Sequence, residues 1–135
     1  TYDPELAALP DDFQPDYIVV GYGTNDFSSK TPEKFTADCN GFYAQIGKHY
    51  PNAQIFAITP IWRAHMENPR AFASFFDIEK GIRAATADMK NVTVINGLEL
   101  VPHDTSLYSD GRLHPNDAGF AHYFQNLWQK VQNFI

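Results

Sequence analysis

An α/β fold, with a parallel sheet of about three strands layered between about three helices, is predicted by two observations on the 135-residue chain. Three short runs rich in Val and Ile, "DYIVVGYG" (16–23), "AQIFAITP" (53–60) and "NVTVINGL" (91–98), are bounded by Pro, Asn or Gly, as buried parallel strands are. Each is followed by a segment whose apolar residues recur three and four apart, the period of a helix with one buried face. Strands alternating with helices in this order join through right-handed crossovers.

The elements follow in order. After the first strand, "GYGTNDF" reads as a loop, and Thr31-Pro32 then supplies a helix N-cap with proline at the first helical position. That helix carries Phe35, Cys39, Phe42, Tyr43 and Ile46 on one face, and Gly47 to Pro51 ends it. The second helix places Phe75, Ile78, Ile82, Ala85 and Met89 on one stripe, with Gly81 as a weak point inside. The third starts near Asn116 and turns Phe120, Phe124, Leu127, Trp128, Val131 and Phe134 inward. Repeats, low-complexity tracts and linkers are absent, so residues 1–135 read as one α/β domain.

Composition narrows the function. With 44% hydrophobic and 19% charged residues the chain has the apolar content of a globular domain. A formal charge of −6 without a Lys/Arg cluster argues against nucleic acid or a membrane surface as partner and favours a small or neutral ligand. The lone Cys39 has no disulfide partner, and no Cys/His spacing suits zinc. His103, Asp104, Asp110, His114 and Asp117 are the candidate metal ligands, but no helical or sheet spacing groups them, so neither metal nor cofactor is expected. No apolar run has the roughly 20 residues that span a bilayer. The start at Thr1 rather than Met reads as the mark of processing or excision, and localisation is left open between cytoplasmic and secreted.

Open parallel sheets bind ligands outside the carboxyl ends of their strands. The loops "GYGTNDF" and "DGRLHPNDAGF" are expected to face each other there. Gly23 lets backbone approach a substrate closely, and Asn25 offers an amide donor, a pair suited to an oxyanion; as a plainer alternative, both are turn formers. Asp26 is read as a structural acceptor that braces the turn. Pro115 biases His114 toward extended backbone and keeps it out of the following helix. Histidine titrates near neutrality, which suits a general base oriented by an upstream acid. Trp62 and Arg63 of "IWRAH" follow the second strand and either line a substrate pocket or pack as ordinary loop residues.

Here the residues resemble the SGNH or GDSL-type ester hydrolase family. "GTND" (23–26) is similar to its Gly-x-Asn-Asp block, and "HPNDAGF" after an acid is similar to its terminal Asp-x-x-His-Pro block; with "PDYIVVGYGTNDF" and "ITPIWR" the resemblance covers about residues 15–135. It implies a flavodoxin-like three-layer α/β/α fold, here in its C-terminal portion. It also implies hydrolysis of an acyl or acetyl ester, small-molecule or carbohydrate, with His114 as base, Asp110 as its partner, and Gly23 and Asn25 at the oxyanion. Two departures stand. No Gly-Asp-Ser occurs, and Ser28, Ser29, Ser74, Ser106 and Ser109 lie in unrelated contexts, so the chain alone is expected to be inactive. Asp110 lies four residues before His114 rather than three, and Gly111 holds the acid's place. Either one residue is inserted and Asp110 still reaches the imidazole, or the acid is lost.

Two functions remain: an ester hydrolase lacking its nucleophile segment, or an inactive binding or oligomerising module. In the strand order the resemblance implies, the strand at 17–22 becomes an edge. "YIVVGY" lacks charge and proline, so a homodimer through this strand is expected, with residues 2–9 packing across the seam.

Overall fold

A computed structural model describes residues 1–9, 12–70, 72 and 74–135. Its sheet holds three parallel strands, β1 (Tyr17–Val20), β2 (Gln54–Ile58) and β3 (Val92–Ile95), in the order β1-β2-β3. β2 lies in the middle with Ile55, Phe56, Ala57 and Ile58 all buried, which is why it reads as an unbroken apolar run. Ile55 and Ala57 point to one layer, where Val20, Phe42, Ile46, Ile78 and Ile82 join them. Phe56 and Ile58 point to the other, against Ile95, Leu100 and Val131.

The first layer is built by α3 (Pro32–His49) and α4 (Phe76–Thr86). Thr31 caps α3 by accepting the Lys34 N–H at 3.3 Å. On α4, Ile78 and Ile82 are fully buried, each contributing about 1.5–3 kcal/mol of apolar burial. Gly81, a weak point by propensity, is where the two helices meet: a Cβ there would run into the Phe35 ring.

Two short helices escape the sequence pattern. α1 (Pro4–Ala7) is capped by Asp3, and ahead of it Tyr2 is buried, its ring 5.4–5.7 Å from those of Phe35, Phe42 and Tyr43. The expectation that residues 2–9 pack across a β1 seam therefore fails at Tyr2 and Pro4: Tyr2 fills this chain's own core, and Pro4 rests on Gly41 of α3. α2 (Thr24–Ser29) replaces the expected loop after β1, so Asn25 and Asp26 stand on its first turn.

The second layer is α5 (Asp117–Val131), capped by Asn116 accepting the Gly119 N–H at 3.0 Å. Its inward face is narrower than the sequence predicts. Val131 is buried, Leu127 and Tyr123 are half-buried, and Phe134, just beyond the helix, turns its ring onto Phe56 at 5.3 Å, but Phe120, Phe124 and Trp128 are 56%, 66% and 46% exposed. Each four-residue step along a helix advances about 40° beyond a full turn, so Phe124 and Trp128 swing off the sheet. On the α5 side, β1 also leaves Tyr17 and Val19 exposed. Among the described residues, no helix is long and apolar enough to cross a membrane.

Candidate active site

The loop before α5 is closed by an antiparallel bridge between Tyr108 and Pro115, and the Ser109 N–H donates to the His114 carbonyl at 2.8 Å. Inside it Gly111 takes φ +65°, the left-handed region glycine adopts without penalty. The chain thereby curls over the Asp110 side chain. Oδ1 of Asp110 accepts the backbone N–H groups of Arg112, Leu113 and His114 at 2.9, 2.7 and 3.1 Å. Oδ2 lies 2.9 Å from His114 Nδ1. A spacing of four thus reaches the imidazole, because the extra residue is absorbed by the Gly111 turn. These bonds, led by that from Leu113, hold the Asp110 carboxyl well below the usual carboxylate range. The His114 ring, oriented through Nδ1, is otherwise exposed.

Gly23 caps α2 with φ +116°, and it is more than a turn former: a Cβ there would sit 2.7 Å from Ile78 Cγ2 and 2.9 Å from Pro60 Cγ. Asn25, one turn into α2, is exposed. Asp26 is fully buried and braces a different segment from the one expected. It accepts the Tyr2 N–H at 3.2 Å and pairs with Lys30 at 3.0 Å, tying the N-terminal segment to α2 rather than closing its own turn.

The loop after β2 joins these two regions. Pro60 touches Gly23; the Trp62 carbonyl accepts the Tyr108 hydroxyl at 2.8 Å; and the Ala64 N–H donates to the Arg112 carbonyl at 2.9 Å. Trp62 is half-buried and stacks on His103 at 5.5 Å. Arg63 is buried, with Cζ 5.9 Å from the Phe27 ring centroid of α2. The structure therefore connects the Gly23–Asn25 turn, the Trp62–Arg63 loop and the Asp110–His114 pair around the carboxyl ends of the strands.

The GDSL-like lipase/acylhydrolase family model matches residues 2–122. The chain belongs to that family. Solved structures share the fold at low identity. A GDSL-like lipase from Bacteroides ovatus aligns over 98% of this chain with TM-score 0.76 and 19% identity. A salicylyl-acyltransferase from a tetracycline biosynthetic pathway aligns over 98% with TM-score 0.80 and 19% identity. A family two carbohydrate esterase from Clostridium thermocellum, in complex with cellohexaose, aligns over 90% with TM-score 0.67 and 20% identity. The chain spans 40%, 42% and 36% of these three proteins respectively. No match is found among curated protein sequences.

In this GDSL-family chain, two of the other candidate metal ligands, His103 and Asp104, have separate structural partners. His103 Nε2 meets the Leu98 carbonyl at 3.0 Å, and Asp104 accepts the Ser106 N–H at 2.9 Å. Among the described residues no three His, Cys, Asp or Glu side chains gather as a metal site. Sequence reasoning missed Tyr108, 3% exposed, whose burial pushes its hydroxyl up to about 12 while that hydroxyl clamps the β2 loop. It also missed Phe27, the ring beneath Arg63. Neither carries a local signal, since each matters only through a loop distant in sequence.

Proposed function

We propose that this chain is the base-and-oxyanion portion of an ester hydrolase, the C-terminal part of an SGNH-type fold. His114 Nε2 takes the proton of an attacking serine hydroxyl. Asp110 holds the ring through Nδ1 and stabilises the imidazolium that forms. The Gly23 N–H and the Asn25 amide receive the oxyanion as the acyl carbon becomes tetrahedral. The serine comes from outside these residues, because no Gly-Asp-Ser stands in the sequence. The observation that carries the reading is the 2.9 Å bond from His114 Nδ1 to a carboxylate already fixed by three backbone N–H groups, which leaves the other ring nitrogen free for chemistry. An acyl or acetyl ester of a small alcohol or carbohydrate fits this reading, in keeping with the carbohydrate esterase among its fold relatives.

The test supplies a Gly-Asp-Ser strand-helix segment by fusion and follows hydrolysis of a short-chain aryl ester. His114→Ala is expected to abolish turnover, Asp110→Ala to reduce it less, and Asn25→Ala to cost about 3 kcal/mol of transition-state stabilisation. Near-wild-type rates for His114→Ala would refute the assignment. The 135-residue chain alone is expected to show no turnover, and stoichiometric organophosphonate labelling of any of its serines would overturn that.

A second reading, an association module built on the β1 edge, is favoured by Val19 being 59% exposed on an edge strand. In it two copies join as a homodimer through residues 17–22.

A further inference from the structure

Asp26 is fully buried and Lys30 largely so, yet proton transfer by His114 uses neither. Both grip one residue. The Asp26 carboxylate accepts the Tyr2 N–H at 3.2 Å, and Lys30 Nζ donates to the Tyr2 carbonyl at 2.5 Å. The N-terminal segment is therefore hung from α2, the short helix that Gly23 caps. Pro4, resting on Gly41, fixes the same segment against α3.

Between that segment and α3 lies a cavity of about 360 Å³, within the range of small-molecule pockets. Its lining includes Ala7 and Leu9 of the N-terminal segment, Phe42, Ile46 and Tyr50 along α3, and Tyr22 after β1; every lining side chain is apolar or aromatic. Leu9 is 59% exposed, so part of that lining is bare apolar surface. Tyr22 sets the cavity's distance from the site. It is bonded directly to Gly23, with the two Cα atoms about 3.8 Å apart, and its ring lies 5.6 Å from that of Phe42. Because β1 and β2 are parallel, α3 runs back from the carboxyl ends of the strands. Phe42, Ile46 and Tyr50, one turn apart, therefore carry the cavity away from Gly23 for roughly 12 Å.

We propose that this cavity receives the hydrocarbon chain of the acyl group, so that the site acts on esters of straight-chain fatty acids longer than acetate. The inference rests on reading the Gly23 N–H as an oxyanion donor, since a carbonyl oxygen held there starts the acyl chain one residue from Tyr22. Methylenes leaving water for the faces of Phe42 and Ile46 supply the affinity. The grip on Tyr2 keeps the cavity wall at a fixed distance from the oxyanion turn, because one helix carries both.

The test titrates the isotope-labelled 135-residue chain with acetate, butanoate, hexanoate and octanoate, whose carboxylates stand in for the ester carbonyl, and follows the Gly23 amide and the Ala7 and Ile46 methyls by NMR. Affinity is expected to rise about fourfold with each methylene added between butanoate and octanoate, the ordinary gain for burying one CH₂. The Gly23 and methyl signals are expected to move together at one site. Ala7→Trp, which fills the cavity from a half-buried wall, is expected to erase the dependence on chain length while acetate binds as before. Leu9→Ser, a change at an exposed position that leaves the core intact, is expected to weaken octanoate binding several-fold, whereas Val19→Ser, equally exposed but outside the cavity, leaves it unchanged. Affinity independent of chain length, or octanoate shifts confined to Phe124 and Trp128 on the exposed face of α5, overturns the proposal. A Gly23 amide that ignores acetate counts against the oxyanion reading, whereas one that responds to acetate and gains nothing from longer chains counts against the cavity alone.

Discussion

Gly23→Ala, compared with Gly21→Ala two residues earlier, separates a tightly packed turn from a merely permissive one. At φ +116° a side chain strains the backbone, at a cost of about 1–3 kcal/mol. The new Cβ would also lie 2.7 Å from Ile78 Cγ2 and 2.9 Å from Pro60 Cγ, where ordinary contact begins at 3.4 Å, so these neighbours must yield 0.7 and 0.5 Å (3.4 − 2.7 and 3.4 − 2.9). Ile78 is fully buried and has nowhere to go, which adds about 1–3 kcal/mol of overpacking. The expected loss is about 2–6 kcal/mol, a large share of a stability of about 5–15 kcal/mol. Gly21 has open space around its Cβ position and no positive φ, so Gly21→Ala is expected to stay within about 0.5 kcal/mol of wild type. Urea unfolding followed by circular dichroism measures both. A loss below about 1 kcal/mol for Gly23→Ala, or equal losses for the two, would refute the view that Ile78 and Pro60 clamp this turn.

Lys30→Met removes the cation that sits 3.0 Å from Asp26 and 2.7 Å from Asp38; with Asp26 fully buried, a loss of about 3 kcal/mol is expected by urea unfolding, and a neutral effect would show that the pair is solvated. Asp110 has a depressed carboxyl in the folded state, so its contribution is complete above the unfolded value near 4 and disappears as pH falls through the depressed value. Amide exchange at Arg112 to His114 from pH 6 downward should therefore stay slow past pH 4, whereas Asp110→Asn should open the loop at every pH; wild-type opening with a midpoint near 4 contradicts this. Val19→Lys places charge on the exposed edge of β1 and is expected to abolish self-association seen by sedimentation at micromolar concentration, while a wild-type monomer at high concentration removes the dimer.

The parts of the fold legible in the sequence are those where one residue type has one physical reading. Val/Ile runs between Pro and Gly gave β2 and its neighbours, and Thr31-Pro32 and Asn116 set the starts of α3 and α5 through their caps. Helix α2 was hidden because "TNDFSS" is made of residues that favour caps and turns; its formation is decided by Phe27 and Asp26 finding burial and partners far along the chain. The Asp110–His114 contact was legible only as a pair of alternatives. Residue spacing fixes contour length, whereas the contact depends on the left-handed turn at Gly111, which gathers three N–H groups around one oxygen. The burial of Arg63 had no sequence signal, since burial of a single loop arginine is set by Phe27 and by the clamp of Tyr108 on Trp62.

The misjudged face of α5 carries the broadest lesson about this chain. Periodicity reports which residues are apolar and shared by a stripe; it does not report what stands opposite. Phe56 stacks with Tyr17 at 6.4 Å and packs on Phe134 at 5.3 Å, and the Tyr17 hydroxyl donates to the Phe134 carbonyl at 2.7 Å, so the segment after α5 reaches the edge strand itself. The exposed Tyr17 and Val19 of β1 and the exposed Phe120, Phe124 and Trp128 of α5 therefore belong to one side of the sheet, whereas the opposite side, under α3 and α4, buries its apolar stripes. An asymmetry confined to one layer is not a weakness of the pattern. Burial on that side would require more surface than three strands and one helix provide.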